Sequence, residues 1–198
     1  WHPEKLKRTA DLEMASGLNR FVIHTSVHQP LDDRKPGFSL GPFGQYFTRH
    51  ETWAEQGGKA WMEYLGRSCY LLQQGRNIAD ILYYYAENQN ITSVCQQQLP
   101  TIPKGYEFDF VNASALKDAI SAKNGKLVSL AGNQYSVLKI DDNAQYMTVA
   151  TLRKIKQLAD AGVLIVGKKP LKSPTLSDSE LEFQKLVDEI WKKNNVVE

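Results

Sequence analysis

The chain has 198 residues, 42% hydrophobic and 23% charged, with 24 Lys and Arg against 22 Asp and Glu for a formal charge of +2. That length and apolar content support one large domain or one and a fraction, and exclude a disordered or fibrous chain. A near-neutral balance without a dense basic stripe leaves nucleic acid off the list of expected partners, and the longest apolar runs (81–86 and 163–166) fall far short of the ~20 residues that span a bilayer.

In chain order, Leu6, Ala10 and Met14 predict a helix over 3–16, with Pro3 suited to its first turn and Gly17 to its stop. Residues 20–25 (Arg-Phe-Val-Ile-His-Thr) follow, β-branched, aromatic and apolar at consecutive positions, as expected of a parallel strand covered on both faces. The segment 26–48 carries Pro30, Pro36, Gly37, Gly41, Pro42 and Gly44 together with Phe38, Phe43, Tyr46 and Phe47. A connection of that length is usually functional or disordered, and its aromatics argue for order. Trp61, Tyr64, Leu65, Ser68, Cys69 and Leu72 mark one face of a helix over 52–74. Thr52 and Glu55 form its capping box and Gly75 its end.

The alternation then restarts, placing a chain division near residue 76. A buried strand is predicted over 79–86, a polar helix over 89–99, a strand over 106–111, and a helix over 113–122 capped by Asn112. A hairpin of 126–130 with 135–140 turns at Gly132-Asn133. Helix 149–161 ending at Gly162, strand 163–166, and helix 179–193 capped by Ser177 complete the pattern. Strands separated by helices imply a small doubly wound parallel sheet with right-handed crossovers.

Cys69 and Cys95 read as lying on separate helices, without CxxC or metal spacing; a disulfide framework is excluded and a single bridge is left open. The chain opens at Trp1 with neither a charged nor an apolar leader region, which is the expectation for a piece of a longer polypeptide. No GxGxxG follows the strand at 79–86 and no GxxxxGK[ST] occurs, so nucleotide binding lacks support. A glutamine-amidotransferase-like triad cannot be assembled either, because Cys95 lies in a Gln-rich helical stretch and no His follows His50. The second half is therefore expected to be non-catalytic.

Polar groups concentrate around the first predicted strand: His24, His28 and Gln29, then Arg49, His50, Glu51 and Trp53. The carboxyl end of a parallel strand and the loop after it face the ligand crevice. Carboxylate, imidazole and amide groups beside aromatic platforms suit a sugar. Taken singly these residues have plainer readings: His24 as a hydrogen-bonded core histidine, Glu51 and Glu55 as carboxylates at a helix start. Zinc on His24, His28 and His50 is a further alternative, since strand positions four apart point to one side, but no Cys or firm third ligand accompanies them.

The run Asn19-Arg20-Phe21-Val22-Ile23-His24-Thr25-Ser26-Val27-His28-Gln29-Pro30 is followed by Leu40-Gly41-Pro42-Phe43-Gly44-Gln45-Tyr46-Phe47-Thr48-Arg49 and Glu51-Thr52-Trp53. With Tyr70-Leu71-Leu72-Gln73-Gln74-Gly75-Arg76, Asp80-Ile81-Leu82-Tyr83, Tyr106-Glu107-Phe108-Asp109-Phe110-Val111-Asn112 and Leu176-Ser177-Asp178, it resembles glycoside hydrolase family 106, the bacterial α-L-rhamnosidases. The resemblance covers nearly the whole chain. It implies a large, secreted or periplasmic enzyme that uses calcium, no nucleotide cofactor, and inversion to release terminal α-L-rhamnose from a rhamnose-containing oligosaccharide.

On that template residues 1–76 are the end of a (β/α)8 barrel, with 20–25 its last strand and 52–74 its last helix, and residues 77–198 a flavodoxin-like accessory domain. Inversion needs two carboxyl groups roughly 6.5–9.5 Å apart; the resemblance implies that this pair precedes Trp1. His24, His28, Arg49 and Trp53 are then substrate-binding candidates, and Glu51 the one carboxylate here considered for direct chemistry, as water activator or calcium ligand. A barrel strand without its neighbours predicts self-association or partial disorder in the first 50 residues. The alternative from another class is a non-catalytic carbohydrate-binding or interaction module with the aromatic loop as its platform.

Overall fold

The structure, a computed structural model, describes residues 2–24, 27–41, 48–50, 54–87 and 100–198. The chain divides into two compact units, Trp1–Arg76 and Asn77–Glu198.

In the first unit, helix α1 (Pro3–Ala15) starts behind an extended His2, with Pro in its first turn. It stops where Gly17 takes φ 104° and Leu18 N–H donates back to the Glu13 carbonyl at 3.0 Å. That is the left-handed exit that glycine makes easily. Helix α2 (Lys59–Leu72) is preceded by a π-helical turn, Ala54–Gly58. The predicted helix over 52–74 thus has its regular part later than expected, and Thr52 lies outside the described residues. Gly57 and Gly58, poor helix formers, sit where the register widens. Ala10, Trp61 and Leu65 are buried together, with Leu6, Phe21 and Tyr64 packed on them. The Tyr64 hydroxyl donates to Asp11, and Lys7 Nζ reaches the same hydroxyl at 3.1 Å.

The strand expected at 20–25 does not form over its described part, 20–24. Composition there favours a strand, yet a strand exists only through a hydrogen-bonded neighbour. None of the described residues pairs with this segment, and Val22 is 90% exposed. Its Phe21 and Ile23 instead line an apolar cleft of about 170 Å³ with Leu6, Ala10, Trp61 and Leu65.

The second unit is α/β. Five parallel strands make its main sheet: β1 (Ile81–Tyr84), β2 (Phe108–Val111), β6 (Val137–Ile140), β7 (Leu164–Val166) and β8 (Val196–Val197), in the order β2-β1-β6-β7-β8. The parallel strands are therefore arranged 2-1-3-4-5 by chain order. A small antiparallel sheet holds β3 (Ile120–Lys123), β4 (Lys126–Ser129) and β5 (Gln134–Tyr135). Helices α3 (Ala113–Ala119), α4 (Val149–Asp160) and α5 (Glu180–Trp191) lie in a row, α4 touching both others. They cover the face bearing Leu82, Tyr84, Val111, Leu138, Ile140 and Ile165, which with Leu116, Leu152, Ile155 and Ile190 form the core. Strand alternation puts Tyr83, Phe108 and Phe110 on the opposite face, where their rings meet edge to face at 5.1–6.1 Å. A doubly wound sheet needs helices on both faces; among the described residues only one face carries them.

Three predicted details change. The helix expected over 113–122, capped as expected by the Asn112 side chain accepting from Ala115 N–H at 2.7 Å, ends at Ala119 because Ile120 turns extended and pairs with Ser129. Asn124 and Gly125, both with positive φ, then close the β3–β4 hairpin. The hairpin predicted at Gly132-Asn133 survives only in β4–β5, and residues 137–140 leave it for the parallel sheet beside β1. The cap of the last helix is Ser179, whose hydroxyl accepts from Glu182 N–H, whereas the Ser177 hydroxyl engages Thr175 at 2.9 Å.

Candidate functional site

The polar cluster of the first unit is organised by one loop. His28 and Phe38 form an antiparallel bridge, His28 N–H donating to the Phe38 carbonyl at 3.1 Å and Phe38 N–H to the His28 carbonyl at 2.8 Å. The bridge closes residues 29–37 into a loop and stacks the two side chains, ring centroids 6.2 Å apart and 23° from parallel. Both are exposed, Phe38 at 71%. Gly37 is required beside the bridge. At φ 101° a Cβ there would stand 2.6 Å from the His28 carbonyl oxygen and 2.8 Å from Gln29 Cγ, distances no side chain sustains.

Arg49 fastens the loop from outside. Its Nη2 donates to the Gln29 carbonyl at 2.9 Å, its Nη1 pairs with Asp32 at 2.8 Å, and its own backbone N–H donates to Gln29 Oε1 at 3.1 Å. Thr48, buried, accepts from His50 N–H through its hydroxyl at 3.1 Å. The Nε2 atoms of Gln29 and His50 are enclosed without a hydrogen-bond partner among the described residues.

Of the residues singled out in the sequence, His28, Gln29 and Arg49 are thus brought together, with His50 adjacent in the chain to Arg49. His24 ends the segment 20–24 and is exposed. Glu51, Trp53 and the loop aromatics Phe43, Tyr46 and Phe47 lie outside the described residues, and Glu55 is exposed in the π-helical turn. The zinc alternative fails on geometry, since His24, His28 and His50 do not converge: no group of three His, Cys, Asp or Glu side chains among the described residues could hold a metal ion. For calcium, the same observation means only that no cluster of three carboxylates is present among the described residues. The sequence reading missed Asp32 and Phe38 as partners of this cluster. Phe38 was visible only as one aromatic among four, and Asp32 as one charge in Asp-Asp-Arg-Lys.

In the second unit the polar groups beyond the strand ends are occupied internally. Glu87, just after β1, accepts from the Thr148 N–H and from the hydroxyls of Thr148 at 2.9 Å and Thr151 at 2.7 Å. The Tyr83 hydroxyl donates to Asp141 at 2.8 Å, and burial pushes its pKa well above the ordinary phenol value. Lys139 pairs with Asp142 at 2.7 Å and holds that carboxyl below its usual range.

Asp178 accepts from the Val149 N–H at 2.8 Å and the Ser173 hydroxyl at 2.7 Å, and these two bonds, the backbone one first, depress its pKa. A depressed folded pKa contributes stability that is fully present above the unfolded value of about 3.9 and is lost as pH falls through the lower folded value. Asp178→Asn is therefore expected to reduce stability at neutral pH and to weaken its decline below about pH 4. Urea unfolding at a series of pH values checks this, and an unchanged acid limb would refute it.

No helix among the described residues is long and apolar enough to cross a membrane. Comparison with known proteins places these features in a family. The α-L-rhamnosidase family model of glycoside hydrolase family 106 matches residues 1–198. A protein of Formosa agariphila named "Putative beta-glucuronidase" is 38% identical over 200 residues, covering 100% of this chain and 17% of that protein. The solved structure of a rhamnosidase from Novosphingobium sp. PP1Y superposes with a TM-score of 0.74 at 36% identity, over 98% of this chain and 19% of that one. The chain spans less than a fifth of the length of either relative. Matched along its whole length by that model, it belongs to glycoside hydrolase family 106.

Proposed function

We propose that this chain supplies one wall of the saccharide pocket of a longer, exported, inverting α-L-rhamnosidase. Residues 1–76 end its (β/α)8 barrel and residues 77–198 form a flavodoxin-like accessory domain. The observation that carries the reading is the closed loop 28–38, which presents an exposed imidazole stacked on an exposed aromatic ring. An imidazole that can donate or accept beside an apolar face is what a pyranose with hydroxyls and a methyl group needs.

Two further features support it. Residues 20–24 have strand composition and exposed apolar side chains but no strand partner among the described residues, as fits a barrel strand whose neighbours lie elsewhere in the parent. The parallel order 2-1-3-4-5 is the flavodoxin-like one, and the internally paired Glu87, Asp141, Asp142 and Asp178 suit a domain without chemistry of its own. Calcium, implied by the resemblance, is held outside the described residues and enters no step here.

In this reading His24, His28, Arg49 and Trp53 belong to the pocket wall. The acid that protonates the leaving oxygen comes from a part of the parent before Trp1, and for the water activator we take Glu51 in place of a second carboxylate there. With the full-length parent acting on an aryl α-L-rhamnoside, Glu51→Gln is expected to lower kcat by about 10³-fold while leaving KM within about threefold, because a general base acts in the transition state. Loss of less than tenfold would remove Glu51 from the chemistry. A parent inactive on rhamnosides would remove the substrate assignment.

The exposure of Phe38 favours a second reading, a carbohydrate-binding module that works alone. Calorimetric titration of the 198-residue chain with rhamnose separates the two: binding by the isolated chain supports the module, and silence supports a wall that needs the rest of the parent.

A further inference from the structure

Resting on the pocket-wall reading, we propose that Arg49 is a positioning residue that acts through His28 rather than on the saccharide. It holds the His28–Phe38 pair as one preformed face for a 6-deoxyhexose.

The donor inventory points this way. A guanidinium has five N–H groups in a fixed fork, and each terminal nitrogen of Arg49 spends one of them within the chain, on the Gln29 carbonyl and on Asp32. The third tie is the Arg49 backbone N–H on Gln29 Oε1. All three end on Gln29 or Asp32, the two ends of a short arc that begins directly after His28. Asp32 is 89% exposed, so its ion pair is screened and weak by itself; the contacts to Gln29 carry the geometry. Among the described residues the enclosed Gln29 carboxamide has no partner for Nε2, and its oxygen is oriented by the Arg49 N–H.

On the far side of the arc the space over the His28 carbonyl admits only a glycine at position 37. The backbone of residue 28 is thereby fixed from three directions: the bridge to Phe38, the absence of a Cβ at Gly37, and the Arg49 ties to residue 29. With the backbone held, the stacked pair can offer the Phe38 ring to the C–H and methyl face of the sugar and the imidazole to a neighbouring hydroxyl. Although 20 residues separate Arg49 from Gln29, this one side chain of the wall sets the pose of the stacked pair without itself touching the saccharide.

The test is a double-mutant cycle in the full-length parent, reading kcat/KM on an aryl α-L-rhamnoside for Arg49→Ala, His28→Ala and the pair. A residue acting through His28 has nothing left to do once that imidazole is gone. Arg49→Ala is expected to lose about tenfold, chiefly in KM, and the double variant to match His28→Ala within about twofold. Arg49→Lys keeps the charge opposite Asp32 but not the fork and is expected to recover only part of the loss.

Should Arg49→Ala fail to fold, the exposed Asp32→Asn supplies the second arm. It is expected to lose about threefold in the wild-type background and nothing further in His28→Ala. Multiplicative losses in either cycle, or an Arg49→Ala enzyme with wild-type kcat/KM, would overturn the positioning role alone. An active parent in which His28→Ala is silent would instead overturn the pocket-wall reading, and this inference with it.

Discussion

Gly167→Ala is expected to destabilise the second unit by about 3–5 kcal/mol, a large fraction of the roughly 5–15 kcal/mol that holds an ordinary domain folded. A Cβ at that position would stand 2.5 Å from Ile140 Cβ and 3.1 Å from the Ile140 carbonyl oxygen. Neither atom can retreat: Ile140 is fully buried in β6, opposite Tyr84 of the central strand β1. Gly167 is also tied by its own N–H to the Val197 carbonyl at 2.8 Å and by its carbonyl to the Trp191 indole N–H at 2.9 Å. Relieving the clash means moving β7, β8 and α5 together. Hydrogen exchange of the β6 and β7 amides in the 198-residue chain reads the effect without requiring both units to unfold as one. Protection within about 1 kcal/mol of wild type would show that Ile140 does give way.

Glu87→Ala ranks second, with an expected loss of about 3 kcal/mol. Glu87 follows Ala86, a buried residue held at φ 79° where alanine is strained. The turn brings the carboxylate to the first turn of α4, where a negative charge and free N–H groups attract each other. Thr148 caps that helix with its own hydroxyl on the Thr151 N–H at 3.3 Å, and the hydroxyl protons of both threonines point to Glu87. Removing the carboxylate takes from the Thr151 hydroxyl, 0% exposed, its acceptor at 2.7 Å and leaves it the Thr148 oxygen at 3.1 Å. Glu87→Gln keeps one acceptor oxygen and is expected to cost about 1 kcal/mol. Adding Thr151→Val to Glu87→Ala is expected to recover part of the loss, because a buried donor without an acceptor costs more than no donor at all. A Glu87→Ala chain as stable as wild type in urea would assign the carboxylate no capping role.

These two sites and the Arg49 loop have a common origin. Each joins residues far apart in the chain, a pairing that neither partner's local sequence announces. The elements themselves were more legible. α1, α2 and α4 have a 3.6-residue apolar rhythm and stop signals in Gly17, Gly75 and Gly162, because a helix satisfies its hydrogen bonds locally. Residues 81–84 and 20–24 look alike in composition, and only the former became a strand, since β2 and β6 flank it. The hairpin at Gly132-Asn133 forms as β4–β5, but a second one before it, β3–β4, was not legible. Asn124-Gly125 is the stronger signal, but it lay just after an apolar pattern that fitted a helix through residue 122, and extended pairing with Ser129 overrode that helical tendency at Ile120.

By itself the amino-acid order determined the α/β alternation, the caps at Asn112 and the periodic helices, together with a family likeness that the comparisons bear out. These depend on neighbours within a turn or two. Tertiary structure alone decided which apolar run became a strand, that Gly37 and Gly167 admit no side chain, and that Arg49 and Glu87 bond to residues far away in the chain. The reason is that such contacts are chosen by which surfaces meet after collapse, a choice that no local window of residues encodes.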